Sequence, residues 1–370
     1  MAETFHRSDS NLTQEKWMES LFREANKRTY FGKYAGDSEQ SIIQNIYDLE
    51  GDKEAGDKIT IGLLMELTGA GVVNDGKIEG NEEALVYHDY KTQIFCRGNG
   101  VVSGGKMSRK RTAYDIRKDA RSVLAGWIKN VIDNDTVLSL SGLANPVLVN
   151  DDGAVLAAVA PSTNRKFYGG QTTAGVLTEV ANDAAITNAS SAHLFGTKVI
   201  ELLKRKAKMA SPIIRPVVVE GKEYYVIFIH PWQVKALRAD ADWKDAQKSA
   251  NVRGDKNPIF SGALGVWDGV VVHEYERILY RTGAATQSLP SEYFEATDIC
   301  TSGVTVCRAL FCGAQAGVHA WGQKPKWMED NFDYGRRPGV ATDFIYRADK
   351  TRFNSEDFGV ITCDTAAVPD

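Results

Sequence analysis

The chain has 370 residues, 43% of them hydrophobic and 25% charged, with a formal net charge of −4 and a pI near 6.0. Such a length supports about two domains with a full hydrophobic core, and the composition excludes a disordered chain. The acidic balance excludes a protein that is basic over its whole surface, as one gripping nucleic-acid phosphates everywhere would be.

The opening MAETFHRSDS is polar, so no secretory signal peptide is expected, and no apolar run approaches the ~18 residues of a membrane span. Residues 1–36 read as an arm with one helical piece, in which Trp17, Met18, Leu21, Phe22 and Ala25 recur at helical spacing and Asn11 or Thr13 supplies a cap. So short an arm has little core of its own, so its stripe must pack on the body or on a neighbouring molecule. KITIGLLMEL (58–67) and ALVYHDYKTQIFCR (84–97) read as two strands of a long β excursion, with a turn-rich tip between them. Gly98, Gly100, Gly104 and Gly105 are expected to close it. At ~3.3 Å per residue each side reaches roughly 30 Å. A lone hairpin is marginal in water, so the excursion requires a partner surface.

Residues 108–133 carry the strongest helical pattern. Ile116, Ala120, Val123, Leu124, Trp127, Ile128, Val131 and Ile132 share a face, Ser108 is the expected cap and Asp133-Asn134-Asp135 the expected end. At 1.5 Å per residue this gives a rod of about 38 Å. Its first turns hold Arg109, Lys110 and Arg111, cations that would oppose the helix dipole. They read either as a solvated face or as a contact with the acids of a neighbour or with nucleic acid.

Residues 141–192 are small and polar and read as loops and short elements. Helices are expected over 192–209 and 231–250, and a hairpin over 213–230 around Glu220-Gly221-Lys222. NPIFSGALGVWDGVVVHE (257–274) reads as a buried connection feeding a central strand that continues through Tyr275 to Tyr280. Residues 305–320 are expected to be buried. Two closing strands, 340–347 and 358–362, follow a turn at Asp333-Tyr334-Gly335-Arg336.

No constellation for chemistry emerges. GVVSGGKM (100–107) approaches a phosphate loop, but Met107 stands where a magnesium-binding hydroxyl is needed. Gly69-Ala70-Gly71 lacks the third glycine of a dinucleotide loop and precedes no helix. His273-Glu274-Tyr275-Glu276-Arg277 begins like a zinc-peptidase motif but ends in Arg277 and has a β context. His230, between a strand and a proline, reads as a hydrogen-bonded structural histidine. G-x-S-x-G is absent. Glu82-Glu83 and Glu329-Asp330 fall in polar turns, and Arg253-Gly254-Asp255 is a short match common by chance. Cys96, Cys300, Cys307, Cys312 and Cys363 are odd in number without C-x-x-C spacing, and read as free, reduced, partly buried thiols of a cytosol-folded chain. Catalytic, cofactor-binding and metal residues are therefore not assigned, and no enzyme is expected. What remains is an arm, a β excursion and a long helix, each exposing more surface than one body covers, which points to assembly.

Several segments in the same order resemble the N4-type family of tailed-phage major capsid proteins. They are YYVIFIHPWQVKALR (224–238), NPIFSGALGVWDGVVVHE (257–274), RALFCGAQAGVHAWG (308–322), Asp333-Tyr334-Gly335 and FGVITCDT (358–365), with LTGAGV (67–72) and EGNEEAL (79–85) earlier. The resemblance covers about residues 17–365. It implies an α+β fold, the Hong Kong 97-type phage capsid fold. Residues 1–57 would be the N-terminal arm, 58–107 the extended β loop and 108–212 the peripheral domain with its spine helix. Residues 213–325 would be the axial domain and 326–370 the return to the peripheral domain. It implies a head protein of a virion, assembled in the bacterial cytoplasm, that packs with copies of itself in pentameric and hexameric capsomers. Scaffold, portal and decoration proteins and packaged double-stranded DNA are the further partners implied, with no membrane and no cofactor. Two contacts between copies are expected: Arg109, Lys110 and Arg111 with Glu82 or Glu83 of a neighbour, and Trp17, Leu21 and Phe22 docked on the next subunit. An encapsulin-like compartment shell, a soluble hydrolase and a β-rich adhesin are the alternatives.

Overall fold

The structure is a computed structural model. It describes residues 29–38, 40–47, 56–64, 71–74, 77–80, 82–85, 87–111, 116–149, 153–157, 159–173, 176–186, 193–219, 221–250, 263–281 and 303–368. Trp17, Leu21 and Phe22, the first part of the 257–274 stretch, and Cys300 lie outside the described residues.

In chain order the strands begin with β1 (Ala35–Gly36), β2 (Ile43–Ile46), β3 (Lys58–Leu64), β4 (Tyr87–Gln93) and β5 (Phe95–Val102). Helices α1 (Lys106–Arg111) and α2 (Ile116–Ser141) follow, then the short strands β6 (Lys166–Tyr168), β7 (Gly170–Thr173) and β8 (Val176–Glu179). Next come α3 (Thr197–Met209), β9 (Val217–Val219), β10 (Lys222–Ile229), α4 (Pro231–Ala239), α5 (Ala241–Ala250), β11 (Ala263–Trp267), β12 (Val270–Glu274) and β13 (Tyr280–Arg281). The last elements are β14 (Val306–Cys312), β15 (Gly317–Phe332), β16 (Arg337–Lys350), β17 (Arg352–Phe353), β18 (Glu356–Asp357) and β19 (Val360–Ala366).

Two sheets organise the body. The larger runs β11-β12-β10-β14-β19-β6 and is covered on both faces, so its inner strands β14 and β19 are buried at every position rather than at alternate ones, their charged residues Arg308 and Asp364 paired with each other. Tyr225, Ile227 and Ile229 of β10 face α3 and α4, packing with Leu203 and Leu237. Val226 and Phe228 face the other way, onto Phe31 and the end of α2 at Leu138 and Leu140. The smaller sheet runs β1-β2-β15-β16-β5. Its inner face sets Trp321, Trp327, Phe344 and Tyr346 against Ala120, Leu124, Ile128, Val131 and Ile132 of the stripe expected on α2, joined by Ala125, whereas Val123 of that stripe is exposed. Fully burying one such Leu or Ile contributes about 1.5–3 kcal/mol.

Helix α2 does not stop at Asp133-Asn134-Asp135 but runs to Ser141. The three polar side chains meet partners distant in sequence. Asp133 accepts from the backbone N–H groups of Tyr30 and Phe31 at 3.1 and 3.3 Å. Asn134 accepts from Arg277 at 3.0 Å, and Asp135 pairs with Arg97 at 3.0 Å. Val137, Leu138 and Leu140 then carry the apolar face onward. The helix expected from residue 192 begins at Thr197, and the expected 231–250 helix is two, parted at Asp240. Asp240 accepts from the Thr197 N–H and hydroxyl at 2.9 and 2.7 Å and from the Asp242 N–H at 3.2 Å, tying two helix starts together. His230 caps α4: its Nδ1 accepts from the Trp232 N–H, while Gln233 returns to the His230 N–H.

The stretch before Glu274 forms a hairpin, with β12 as an inner strand parallel to β10. Asp268 and Gly269 have φ of 47° and 74°, the pair of left-handed residues that a two-residue hairpin turn requires. The strand ends at Glu274 rather than continuing through Tyr275, and β13 pairs separately with β14. Gly98 and Gly100 do not close a segment. They lie within β5, where a Cβ on Gly100 would sit 3.1 Å from that of Ala341 and 3.2 Å from the Val340 carbonyl oxygen. The two closing strands are longer than or shifted from their expected ranges, as β16 and β19. The position expected to part axial from returning peripheral sequence, residue 325, falls inside β15. Moreover, β19 belongs to the larger sheet, beside β14.

Candidate self-assembly surface

The excursion is a hairpin, β3 with β4, whose register runs from Lys58↔Gln93 to Leu64↔Tyr87. Each strand has seven residues, shorter than expected, and the chain turns at Ile94 into β5. Ile59 and Ile94 pack on Ala320 of the smaller sheet, with Ile61 and Ile345 beside them. Asp349 of β16 then fixes β4 by charge. It accepts from the Tyr90 hydroxyl at 2.5 Å and the Thr92 hydroxyl at 3.0 Å, and pairs with Arg347 at 3.0 Å. Burial first, then the Asp349 charge, holds the Tyr90 phenol far above its ordinary pKa. A few residues on, Arg97 of β5 pairs with Asp135, which also accepts from Asn145 at 2.7 Å. Burial pushes the Asp135 carboxyl up to about 6 against the lowering effect of Arg97. Hydrogen bonds to a charged partner are about twice as strong as neutral ones, so these two acids anchor the excursion firmly at its base.

Away from that base, described residues between β3 and β4 are exposed in the single chain. Val73, Ile78 and Leu85 are 73%, 69% and 55% exposed. Glu82 and Glu83 are exposed on the same stretch, and Glu82 accepts from the Gly80 N–H at 2.7 Å. The expected cations lie elsewhere. Arg109 donates to the Arg336 carbonyl oxygen at 3.1 Å, which sets α1 beside the β15–β16 turn, while Lys110 and Arg111 are exposed without an ion pair among the described residues. Arg109, Lys110 and Arg111 form the last turn of α1, where cations favour the dipole. The dipole argument for their being misplaced therefore does not hold for this helix. The β15–β16 turn ends in Tyr334, which is fully exposed. Asp333, Tyr334 and Gly335 all take left-handed φ there.

The remaining polar side chains are structural. His319 is buried; with the Thr136 hydroxyl donating to the Ile132 carbonyl oxygen, the ring Nε2–H donates to Thr136 at 3.0 Å. Burial pushes its pKa down to about 3 and that of His230 down to about 4. Arg308 and Asp364 form a buried two-pronged pair, both bonds 2.7 Å. Cys307, Cys312 and Cys363 are wholly buried rather than partly so, and burial pushes their thiols up; Cys96 is exposed. Among the described residues no cluster of His, Cys, Asp or Glu could hold a metal ion, and no helix is long and apolar enough to cross a membrane. Sequence reading passed over Asp349, Tyr90 and Arg97, and took Asp135 for a helix end. The available signal was charge inside apolar elements: Asp349 lies one residue before the end of β16, and Asp135 sits between Ile132 and Val137 of a continuing stripe.

Known proteins with this arrangement are phage shell subunits. The phage capsid protein family matches residues 6–369. A major capsid protein of Pseudomonas phage KPP25 is 30% identical over 376 aligned residues, covering 97% of each chain. Among solved structures, the capsid of Ralstonia phage GP4 superposes with a TM-score of 0.74 at 32% identity, covering 92% of each chain. The capsid of Cyanophage Pam1 gives 0.69 at 25% identity, covering 93% of each. The mixed helix-and-sheet fold is thus that of phage capsid proteins, of the Hong Kong 97 type. These likenesses make the protein a structural, non-enzymatic component of a virion and set aside the compartment-shell, hydrolase and adhesin alternatives. The chain belongs to the phage capsid protein family, as a major capsid protein of a tailed phage.

Proposed function

We propose that copies of this major capsid protein, of the N4-type branch, close into an icosahedral head around double-stranded DNA in the host cytoplasm, as pentameric and hexameric capsomers. Scaffold, portal and decoration proteins are the proposed further partners. The observation that carries this reading is the firmly anchored β3–β4 hairpin whose apolar tip residues meet water in the single chain. Exposed apolar side chains on a held projection fit a role completed by another copy. In the proposed division, residues 1–57 are the arm and 58–107 the extended loop. The spine helix α2 lies in the peripheral domain 108–212, residues 213–325 are axial and 326–370 return, with the sheet membership of β15 and β19 bridging the last two units.

Two contacts between copies follow. Arg109, Lys110 and Arg111 attract Glu82 and Glu83 of a neighbour, and Trp17, Leu21 and Phe22 of the arm dock on the adjacent subunit. Electron microscopy of the purified chain tests the whole: closed shells or capsomer rings are expected, and a compact monodisperse monomer at high concentration overturns it. Reversing the three cations should lower shell yield and remove its salt sensitivity, whereas full-yield, salt-insensitive shells would refute the first contact. Deleting residues 1–36 without effect on shells would remove the second.

A further inference from the structure

We propose that Asn99 is a site of spontaneous covalent modification, at which the side-chain amide is exchanged for a carboxylate that its neighbours are arranged to hold. Asn99-Gly100 is the one Asn-Gly step in the 370 residues. It lies within β5, the outermost strand of the smaller sheet, and both residues are exposed. The Gly100 N–H donates to the Asn99 side-chain oxygen at 2.8 Å. The side chain is thus folded back over the next peptide nitrogen, which brings its amide carbon toward a near-attack geometry. Glycine puts no side chain in the way of that approach. Solvent hydroxide takes the Gly100 amide proton, and the nitrogen attacks Cγ of Asn99. A C–N bond forms there, the bond from Cγ to the side-chain nitrogen breaks, and ammonia leaves with a proton returned by water. Water then opens the cyclic imide at Cγ, giving its OH to the carbon and its other hydrogen to the Gly100 nitrogen. The backbone is restored, and residue 99 carries a carboxylate.

The strand register shows what that carboxylate meets. Directly paired residues of antiparallel strands point to the same face. On the face turned to α2, β5 sets Arg97, Asn99 and Val101 opposite Phe344, Thr342 and Val340 of β16. Thr342 is wholly buried, and its hydroxyl has no partner among the described residues. Arg97 is held to Asp135 through Nη1, while its buried Nε and Nη2 have no partner there either. Each of these groups can donate, and the nearby Asp135 is already engaged by Arg97 and Asn145. An amide at 99 brings further N–H donors to a face short of free acceptors. A carboxylate removes them and accepts instead, in charge-assisted bonds about twice as strong as neutral ones. Opening of the imide at the main-chain carbonyl would add a backbone atom to β5 and break the pairings Gly100↔Ala341, Val101↔Val340 and Val102↔Gly339. The ladder therefore favours the ordinary linkage.

The test follows residue 99 by mass. The natural chain and its free tryptic peptide 98–106, bounded by Arg97 and Lys106, are held side by side in mildly alkaline buffer made with heavy-oxygen water. The chain is then digested briefly in ordinary water. Each conversion adds about 3 Da to the peptide, about 1 Da from the exchange of amide for acid and about 2 Da from the isotope, so conversion during digestion is not counted. The folded chain is expected to convert at no less than about one-tenth of the free peptide's rate. A slower rate, or none, overturns the modification, since a strand that only hinders the attack would give it. For the receiving side, Asn99→Asp should raise the folding equilibrium constant from urea unfolding at least about threefold, and the same change in a Thr342→Val chain should gain less. An Asn99→Asp chain no more stable than the natural one, or a gain undiminished by Thr342→Val, overturns the arrangement for the carboxylate.

Discussion

Asp349 offers the sharpest test of how the excursion is held. Replacing it by alanine removes the acceptor of the Tyr90 and Thr92 hydroxyls and leaves the largely buried Arg347 without its partner carboxylate. Breaking a buried ion pair by removing one partner costs about 3–5 kcal/mol. Both hydroxyls are carried by β4 and donate to β16, so the loss falls on docking of the β3–β4 hairpin rather than on the larger sheet. At 1.4 kcal/mol per factor of ten, the lower bound lowers hydrogen-exchange protection of the hairpin amides about 100-fold. Exchange followed by mass spectrometry on unassembled chains reads this directly, with peptides from β10 as the internal control. Asp349→Asn, which keeps an acceptor without the charge, should fall between. Hairpin peptides that change less than threefold, or β10 peptides that lose as much protection, would refute the reasoning.

Three further outcomes are expected. His319 is held neutral, its folded pKa of about 3 lying below the ordinary value near 6.5, so its contribution is present above pH 6.5 and is lost as pH falls toward 3. The stability of the natural chain relative to His319→Gln, from urea unfolding, should therefore fall with acid by up to about 1.4 kcal/mol per pH unit; parallel pH profiles would contradict this. Gly269→Ala should destabilise by about 1–2 kcal/mol, because its φ of 74° penalises any side chain, whereas Gly303→Ala, with open space around its Cβ, should be near neutral in the same urea assay. Arg308→Ala should cost about 3–5 kcal/mol by stranding Asp364, and adding Asp364→Leu should restore much of it; an additive double variant would show that the two do not act as a pair.

The sequence disclosed what depends on near neighbours. The apolar stripe of α2, the β10 run and the β3–β4 pairing all follow from spacing within one element, and each appears in the fold. Its failures lie where a partner is far along the chain. Asp133, Asn134 and Asp135 resemble a helix stop until Tyr30, Arg277 and Arg97 are brought to them. Gly98 and Gly100 resemble a terminator until β16 lies close beside them. Asp240 splits an apparently continuous helix because Thr197 needs its carboxylate. The Asp268-Gly269 turn is different: its signal is local and was hidden by the surrounding glycines, which suggested a general irregularity rather than one hairpin. At the candidate surface the exposed acids and cations were legible one by one.

Both sheets take their middle strands from the last part of the chain: β14 and β19 in the larger, β15 and β16 in the smaller. A ribosome that has released only the first 305 residues therefore holds β10 without β14 and β2 without β15. Early strands must wait for late ones, and so many distant pairings make for slow maturation of each copy. For a lattice built from equal parts the delay is useful. An interrupted translation product lacks β15 and β16, to which the hairpin is pinned, so growing edges have nothing to recruit, and proofreading by length precedes proofreading by shape.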